Sequence, residues 1–258
     1  MPPLVVIDFE AVAHHGLLQN HAVVVLFLRD RLVGTNLLAA FRRREIEPAF
    51  ISSRTLEGLP DNADIYIYAV RDTALEEVIN KVHVHARAVH VHTSGTMPLS
   101  VFGADKPHSG ILYPFQSFSK TALLEDFSEV PVFIEAKNID ETAAIYSLAL
   151  NLTNRVYEAS QHDRERLHVA GVFANNFSNA MYCIAKDMLA GTSIPFAALL
   201  PLIDETARKV HNVSPREAQT GPAKRHDEVV MAHQESLISN PDIKELYHLI
   251  SQQIQKYE

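Results

Sequence analysis

Apolar residues along this chain follow two rhythms. Up to about residue 158 they fall in short unbroken blocks; beyond it they recur at three- and four-residue intervals. The blocks are Ala22-Val-Val-Val-Leu-Phe-Leu28, Ala49-Phe-Ile-Ser52, Asp64-Ile-Tyr-Ile-Tyr-Ala-Val70, Ala88-Val-His-Val-His92, Gly110-Ile-Leu-Tyr113 and Val130-Pro-Val-Phe-Ile-Glu135. Runs of this length, bounded by turn residues, predict strands covered on both faces, the signature of a parallel sheet. Helical spacing over 34–44 and 73–82 falls between strands, so the units read as right-handed crossovers. The later rhythm predicts helices over Asp163–Leu189, Pro195–His211, Asp227–Ser239 and Ile243–Lys256, divided by Gly191, Pro215, Gly221-Pro222 and Pro241.

The expected architecture is therefore α/β: a Rossmann-like, mostly parallel sheet domain over 22–158, followed by an all-α domain over 159–258. Residues 1–21 read as an N-terminal extension, with Leu4–Phe9 as a possible edge strand.

Composition narrows the function classes. A chain of 258 residues with 47% hydrophobic and 21% charged positions can bury a proper core. A formal charge of −8 offers no field for a phosphate backbone, which argues against nucleic acid as a partner. A single cysteine excludes an internal disulfide and points to a reducing, cytoplasmic setting. No apolar run is long enough to span a bilayer, and the first residues lack the pattern of a secretion signal.

Candidate chemistry lies where strands end. In a dinucleotide-binding unit the loop after the first strand carries glycines, because a Cβ would block the tight turn and the approach of the pyrophosphate. Here the loop is Arg29-Asp30-Arg31, and only Gly34 survives, at the place of the last glycine. The two arginines could make bidentate phosphate contacts in place of backbone N–H groups. A fold that kept its strand and helix but lost its ligand reads the loop equally well. The second strand ends in Ser53-Arg54-Thr55, where an arginine accommodates a ribose 2′-phosphate and an acid would favour the 2′-hydroxyl. A bound dinucleotide is therefore expected to be NADP.

Ala69 and Val70 end the third strand and Thr93-Ser94-Gly95 follow the fourth, at the edge where open parallel sheets take their ligands. His83, His85, His90 and His92 crowd this stretch, but three or four converging ligands are not evident, so no metal site is expected. His168, Asn175 and Asn179 are spaced by seven and four residues, one stripe of an α-helix facing either a polar cleft or a neighbouring helix. Cys183 on the same helix reads as core. The loop from Thr220 to Asp227 offers free N–H groups and the pair Lys224-Arg225 to an anion, or Asp227 serves as an N-cap.

Taken in order, Ala63-Asp-Ile-Tyr-Ile-Tyr-Ala-Val-Arg-Asp72, His92-Thr-Ser-Gly95, Tyr113-Pro-Phe-Gln-Ser-Phe-Ser119, His168 to Asn179 and Thr220-Gly-Pro222 through Asp227 resemble a bacterial family. It is the domain of unknown function 2520, assigned to NADP- or deazaflavin-dependent oxidoreductases. That family is similar to pyrroline-5-carboxylate reductase, prephenate dehydrogenase and the phosphogluconate dehydrogenase superfamily. The resemblance runs from about residue 22 to the end. It implies a cofactor across the carboxyl edge of the sheet, a substrate between the domains, and a helical domain that builds a homodimer. It places Gly95, Tyr113, Gln116, His168 and Thr220 against substrate, while the strand ends and the first loop, read by themselves, set Arg29, Arg31, Gly34, Ser53, Arg54, Ala69, Val70 and Thr93 against cofactor. Ser94 would position substrate, and Asn175 or Asn179 would match the helix residue that assists proton transfer in the superfamily. The departure is the Arg-Asp-Arg loop, where family members carry glycines.

The leading expectation is thus an NADP-dependent oxidoreductase acting on a small imino or keto acid. The alternative is a non-catalytic Rossmann relative that binds another ligand or acts as a dimeric partner module. A metal-dependent hydrolase using the histidine cluster is the third.

Overall fold

A computed structural model describes residues 22–27, 32–119 and 122–257. The described residues divide into two compact units, one reaching to Val172 and one beginning at Phe173.

The first unit is built on a sheet of seven strands among the described residues, in spatial order β2-β1-β3-β4-β5-β6-β7. The strands are β1 (Val23–Phe27), β2 (Ala49–Ser52), β3 (Ile65–Ala69), β4 (Val89–His92), β5 (Ser109–Pro114), β6 (Val132–Ala136) and β7 (Val156–Glu158). All neighbours are parallel except β5 and β6. Between and after them run α1 (Leu32–Arg43), α2 (Asp72–Lys81), a 3₁₀ turn at Leu99–Phe102, α3 (Ile139–Leu150) and α4 (Gln161–Gly171). The chain leaves β1 for β2 on one side and returns to β3 on the other. That reversal opens a crevice at the carboxyl ends of β1 and β3. The expected Rossmann-like sheet is present, and β1 to β6 fall on the blocks that predicted them.

The unbroken apolar runs have their cause in two separate cores. Val23 and Val25 of β1 join Ile65 and Ile67 of β3 with Leu37 and Phe41 of α1. Val24 and Leu26 join Tyr66 and Tyr68 with Leu75, Val78 and Ile79 of α2. With period two, a strand covered on both sides must be apolar at every position. Each of these side chains contributes about 1.5–3 kcal/mol on burial. Asn36 is the polar exception in α1: its amide donates to the Leu32 carbonyl at 2.7 Å, and its Oδ1 accepts from Leu124 N–H at 2.8 Å.

Helix ends follow their local chemistry. Asn138 caps α3 through Asp140 and Glu141 N–H, and Ser160 caps α4 through Asp163 N–H. Two elements escaped the sequence pattern. The helix α3 follows the last predicted strand without a clear amphipathic stripe, and β7 is only three residues long.

The second unit is helical: α5 (Ser178–Met188), α6 (Leu200–Lys209), α7 (Pro215–Ala218), α8 (Glu228–Ser236) and α9 (Pro241–Gln255). Ser214 and Glu217 form a reciprocal capping box on α7, and Asn240 caps α9 ahead of Pro241. Of its described residues only Ala223, Ile238 and Ser251 are buried, while Phe173, Phe177, Leu202, Val229, Leu237 and Leu249 are exposed. Cys183 is exposed as well, not in a core. A π-helical turn, Val172–Phe177, begins at the boundary between the units.

Candidate functional site

The carboxyl edge of the sheet gathers most of the expected site residues of the first unit. Arg29 and Arg31 lie outside the described residues. Gly34 is buried in the first turn of α1. At the end of β2 Ser53 is 2% exposed, and its hydroxyl has no hydrogen-bond partner among the described residues. A buried, unpaired hydroxyl is costly unless a ligand or water completes it. Arg54 beside it is exposed and free to reach an anion. Ala69 and Val70 are buried at the end of β3, where they leave mainly backbone to a ligand, and Asp72 opens α2.

The loop after β4 is held from within. Thr93 N–H and hydroxyl both point to the Tyr68 carbonyl, at 3.3 and 3.4 Å. Ser94 Oγ accepts from Thr96 N–H at 3.2 Å and Met97 N–H at 3.0 Å. Thr96 donates in turn to Asp72 Oδ2 at 2.7 Å. Ser94 thus shapes a tight turn through its lone pairs, and because Thr96 gives its own proton to Asp72, the Ser94 hydroxyl donates to Thr96 Oγ1, 3.4 Å away.

Beneath that loop the two histidines of β4 form part of the wall. His90 Nδ1 lies 2.8 Å from the Tyr68 hydroxyl, with the Tyr66 and Phe102 rings beside it. His92 Nδ1 accepts from Ser94 N–H at 3.2 Å, so its proton sits on Nε2, facing the Pro98 carbonyl without closing a good hydrogen bond. Burial pushes His90 down to about 3 and His92 to about 4, so both rings are neutral at physiological pH. His83 and His85 are exposed. No group of three or more His, Cys, Asp or Glu among the described residues is arranged to hold a metal ion.

A second cluster joins β4, β5 and α4. Gly95 is buried, and a Cβ built on it would lie 2.5 Å from Tyr113 Cζ and 2.8 Å from its hydroxyl oxygen. The phenol of Tyr113 therefore rests on the Gly95 backbone. Its hydroxyl lies 3.1 Å from His168 Nδ1. Burial raises the Tyr113 phenol above its ordinary range, Asp72 adds to this, and Arg164 opposes it. One turn after His168, Gly171 leaves space for the Phe115 ring, whose Cζ stands 2.7 Å from where a Cβ would be. Four residues before His168, the fully buried Arg164 pairs with Glu135 of β6 and donates to the Met97 carbonyl at 3.3 Å and the Ala159 carbonyl at 3.1 Å. Arg164, His168 and Gly171, spaced by four and three, are the face of α4 that docks on the sheet.

Sequence reasoning selected His168 but gave it Asn175 and Asn179 as companions. Both asparagines are exposed and belong to the second unit, and Asn175 sits in the π turn. The uniform 3.6-residue period behind that stripe does not hold there. Arg164 was missed because a lone arginine in a charged helix reads as solvated. Gly171, a helix breaker inside a helical run, was the available signal of a close approach. Gln116 is exposed, with its Oε1 accepting from Ser117 N–H at 2.8 Å.

In the second unit Thr220 lines an apolar groove of about 370 Å³ with Met181, Ile184, Ile243, Tyr247 and Ile254. The turn that follows uses its own amides: Arg225 N–H points to Gly221 and Pro222, His226 N–H to Ala223, and Asp227 N–H to Pro222. Lys224 is engaged with the Tyr257 carbonyl. Asp227 caps α8 through Val230 N–H. The loop is a folded helix cap, not the open anion cradle its composition suggested.

Residues 130–254 match the model of a domain of unknown function, DUF2520. A solved structure from Bacteroides fragilis, described as a "putative NADP oxidoreductase", is 34% identical, with a TM-score of 0.82 over 92% of this chain and 98% of that one. Protein TM1727 from Thermotoga maritima is 21% identical, with a TM-score of 0.68 over 91% of this chain and 98% of that one, a likeness of fold. No curated protein matches the sequence.

Proposed function

The chain belongs to the family described as a domain of unknown function, DUF2520, and from that premise we propose that it is an NADP-dependent oxidoreductase acting on a small imino or keto acid. One observation carries the reading: the buried Ser53 hydroxyl, without a partner among the described residues, beside the exposed Arg54, at the end of the strand that meets the adenosine ribose in this fold. A 2′-phosphate offers this pair what it lacks, an acceptor for the hydroxyl and a counter-charge for the guanidinium. The description of the 34% identical relative from Bacteroides fragilis supports the same cofactor.

In this reading Ser53 and Arg54 hold the adenosine end, while Ala69, Val70 and Thr93 flank the cofactor along the sheet edge. Arg29, Arg31 and Gly34 stand at the pyrophosphate. The nicotinamide supplies hydride chemistry when bound. Ser94, Gly95, Tyr113, Gln116 and His168, all of the first unit, position the substrate. The setting is cytoplasmic. A second copy of this chain covers the exposed apolar residues of the second unit, so that the working form is a homodimer; sedimentation of the purified protein distinguishes it from a monomer.

Calorimetric titration with NADPH, NADH and the Arg54→Ala variant tests the cofactor. The expected result is micromolar NADPH binding that weakens about tenfold or more in the variant, one lost charge-assisted contact being worth about 1.5–3 kcal/mol, with NADH weaker from the start. Absence of binding to either nucleotide overturns the proposal and favours the rival in which the Arg-Asp-Arg loop has closed the phosphate site.

A further inference from the structure

We infer that His168, oriented by Tyr113, is the group that exchanges a proton with the reacting heteroatom of the substrate, whose C=O or C=N bond then lies over the carboxyl ends of β4 and β5. The inference rests on the oxidoreductase reading above and names the residue that completes its chemistry.

The argument begins with position. Gly95 follows β4 and Tyr113 lies near the end of β5, and the two strands are parallel. Both residues therefore stand at the same edge of the sheet as Ser53 and Val70. The exposed His168 ring reaches this edge from α4 and has its Nδ1 3.1 Å from the Tyr113 hydroxyl. A histidine whose Nδ1 is held by a fixed partner presents Nε2 outward in a defined orientation.

Rigidity follows from three contacts that fix the pair on both sides. The phenol rests on Gly95, the Phe115 ring fills the space over Gly171, and Arg164 ties the same helix face to Glu135 and to the Met97 carbonyl. The other polar groups here are occupied: Ser94 Oγ accepts two N–H groups and Asp72 accepts from Thr96. Among the described residues, the charged groups that act on the phenol are Asp72 from α2 and Arg164 from α4.

The chemistry balances with reduced nicotinamide as the two-electron donor. Hydride adds to the carbon of the C=O or C=N bond, and the π pair moves to the heteroatom. That atom takes the Nε2 proton of the His168 imidazolium, leaving an alcohol or amine, oxidised nicotinamide and a neutral imidazole whose Nδ1–H donates to the Tyr113 oxygen. Solvent returns the proton to the exposed ring. In the oxidative direction neutral His168 accepts the proton through the same nitrogen.

The test uses the full chain, NADP and oxamate as a stand-in for a keto acid. Nitrogen-15 signals of the His168 ring are followed through a pH titration, with oxamate affinity measured by calorimetry. The expected result is that oxamate raises the His168 midpoint by about one pH unit, the counterpart of a tenfold preference for the protonated ring. His168→Gln weakens oxamate about tenfold and leaves NADP affinity within about twofold. Tyr113→Phe shifts the His168 tautomer signals in the ligand-free protein, which a merely structural tyrosine would not do. Failure of oxamate to bind the NADP complex, or an unmoved His168 midpoint when it does, overturns this inference and leaves the dinucleotide reading standing. Failure of NADP itself to bind overturns both.

Discussion

A methyl group at Gly95 has no room. The alanine Cβ would stand 2.5 Å from Tyr113 Cζ and 2.8 Å from both Cε1 and the hydroxyl oxygen, all inside van der Waals contact. Either the loop after β4 or the phenol must move. Overpacking of this kind costs about 1–3 kcal/mol. Gly95 does not use the left-handed backbone region that favours glycine, so alanine also restricts the unfolded chain and returns about 0.4–1 kcal/mol. The clash wins, and Gly95→Ala is expected to be destabilising by about 0.5–2 kcal/mol. For a protein of this size that lowers the thermal midpoint by about 4 °C, within roughly 1–8 °C. The Tyr113–His168 hydrogen bond breaks with it. The assay is thermal unfolding by circular dichroism, run also in a Tyr113→Ala background. There the ring is absent and Gly95→Ala becomes neutral or stabilising, whereas in Tyr113→Phe the ring carbons keep the clash. Equal destabilisation in all three backgrounds would show that Gly95 is required by the loop backbone and not as the seat of Tyr113.

Other outcomes follow from the buried polar groups. Glu135→Gln leaves the fully buried Arg164 guanidinium without its counter-ion and is expected to be destabilising by about 3 kcal/mol, the low end for a broken buried pair because Glu135 is 27% exposed. The double substitution Arg164→Met, Glu135→Met recovers most of that loss in urea unfolding; a double variant no better than Glu135→Gln refutes the account. His90 and His92 have folded-state values of about 3 and about 4, below the ordinary value of 6.5. The unfolded chain therefore binds more protons, so their contribution is fully present above pH 6.5 and is lost as the pH falls toward those values, by up to about 1.4 kcal/mol per pH unit for each ring. Urea midpoints should drop between pH 7 and pH 5 and drop less in His90→Gln, while pH-independent midpoints would contradict the burial of these rings.

What the sequence determined by itself was the sheet. Val23 to Leu26 of β1 and all of β3 are buried because each strand is covered on both faces, and that requirement is visible in the unbroken apolar and aromatic runs. One helix cap, Asp227, was legible as one of two readings of its loop. The edge residues Ser53, Ser94 and Gly95 could be picked out because strand ends are where this architecture leaves room. What they do there was decided only in three dimensions. Gly95 makes room for a ring eighteen positions later, and Ser94 spends its lone pairs on its own turn. Arg164 looks like any surface arginine until β6 supplies Glu135 and the β4 loop supplies a carbonyl. Periodicity along a helix records which face is buried, but not which neighbour buries it. The partners of Tyr113 and Arg164 lie 55 and 29 residues away, and such pairings are set by the packing of α4 on the sheet, not by any pattern within the helix.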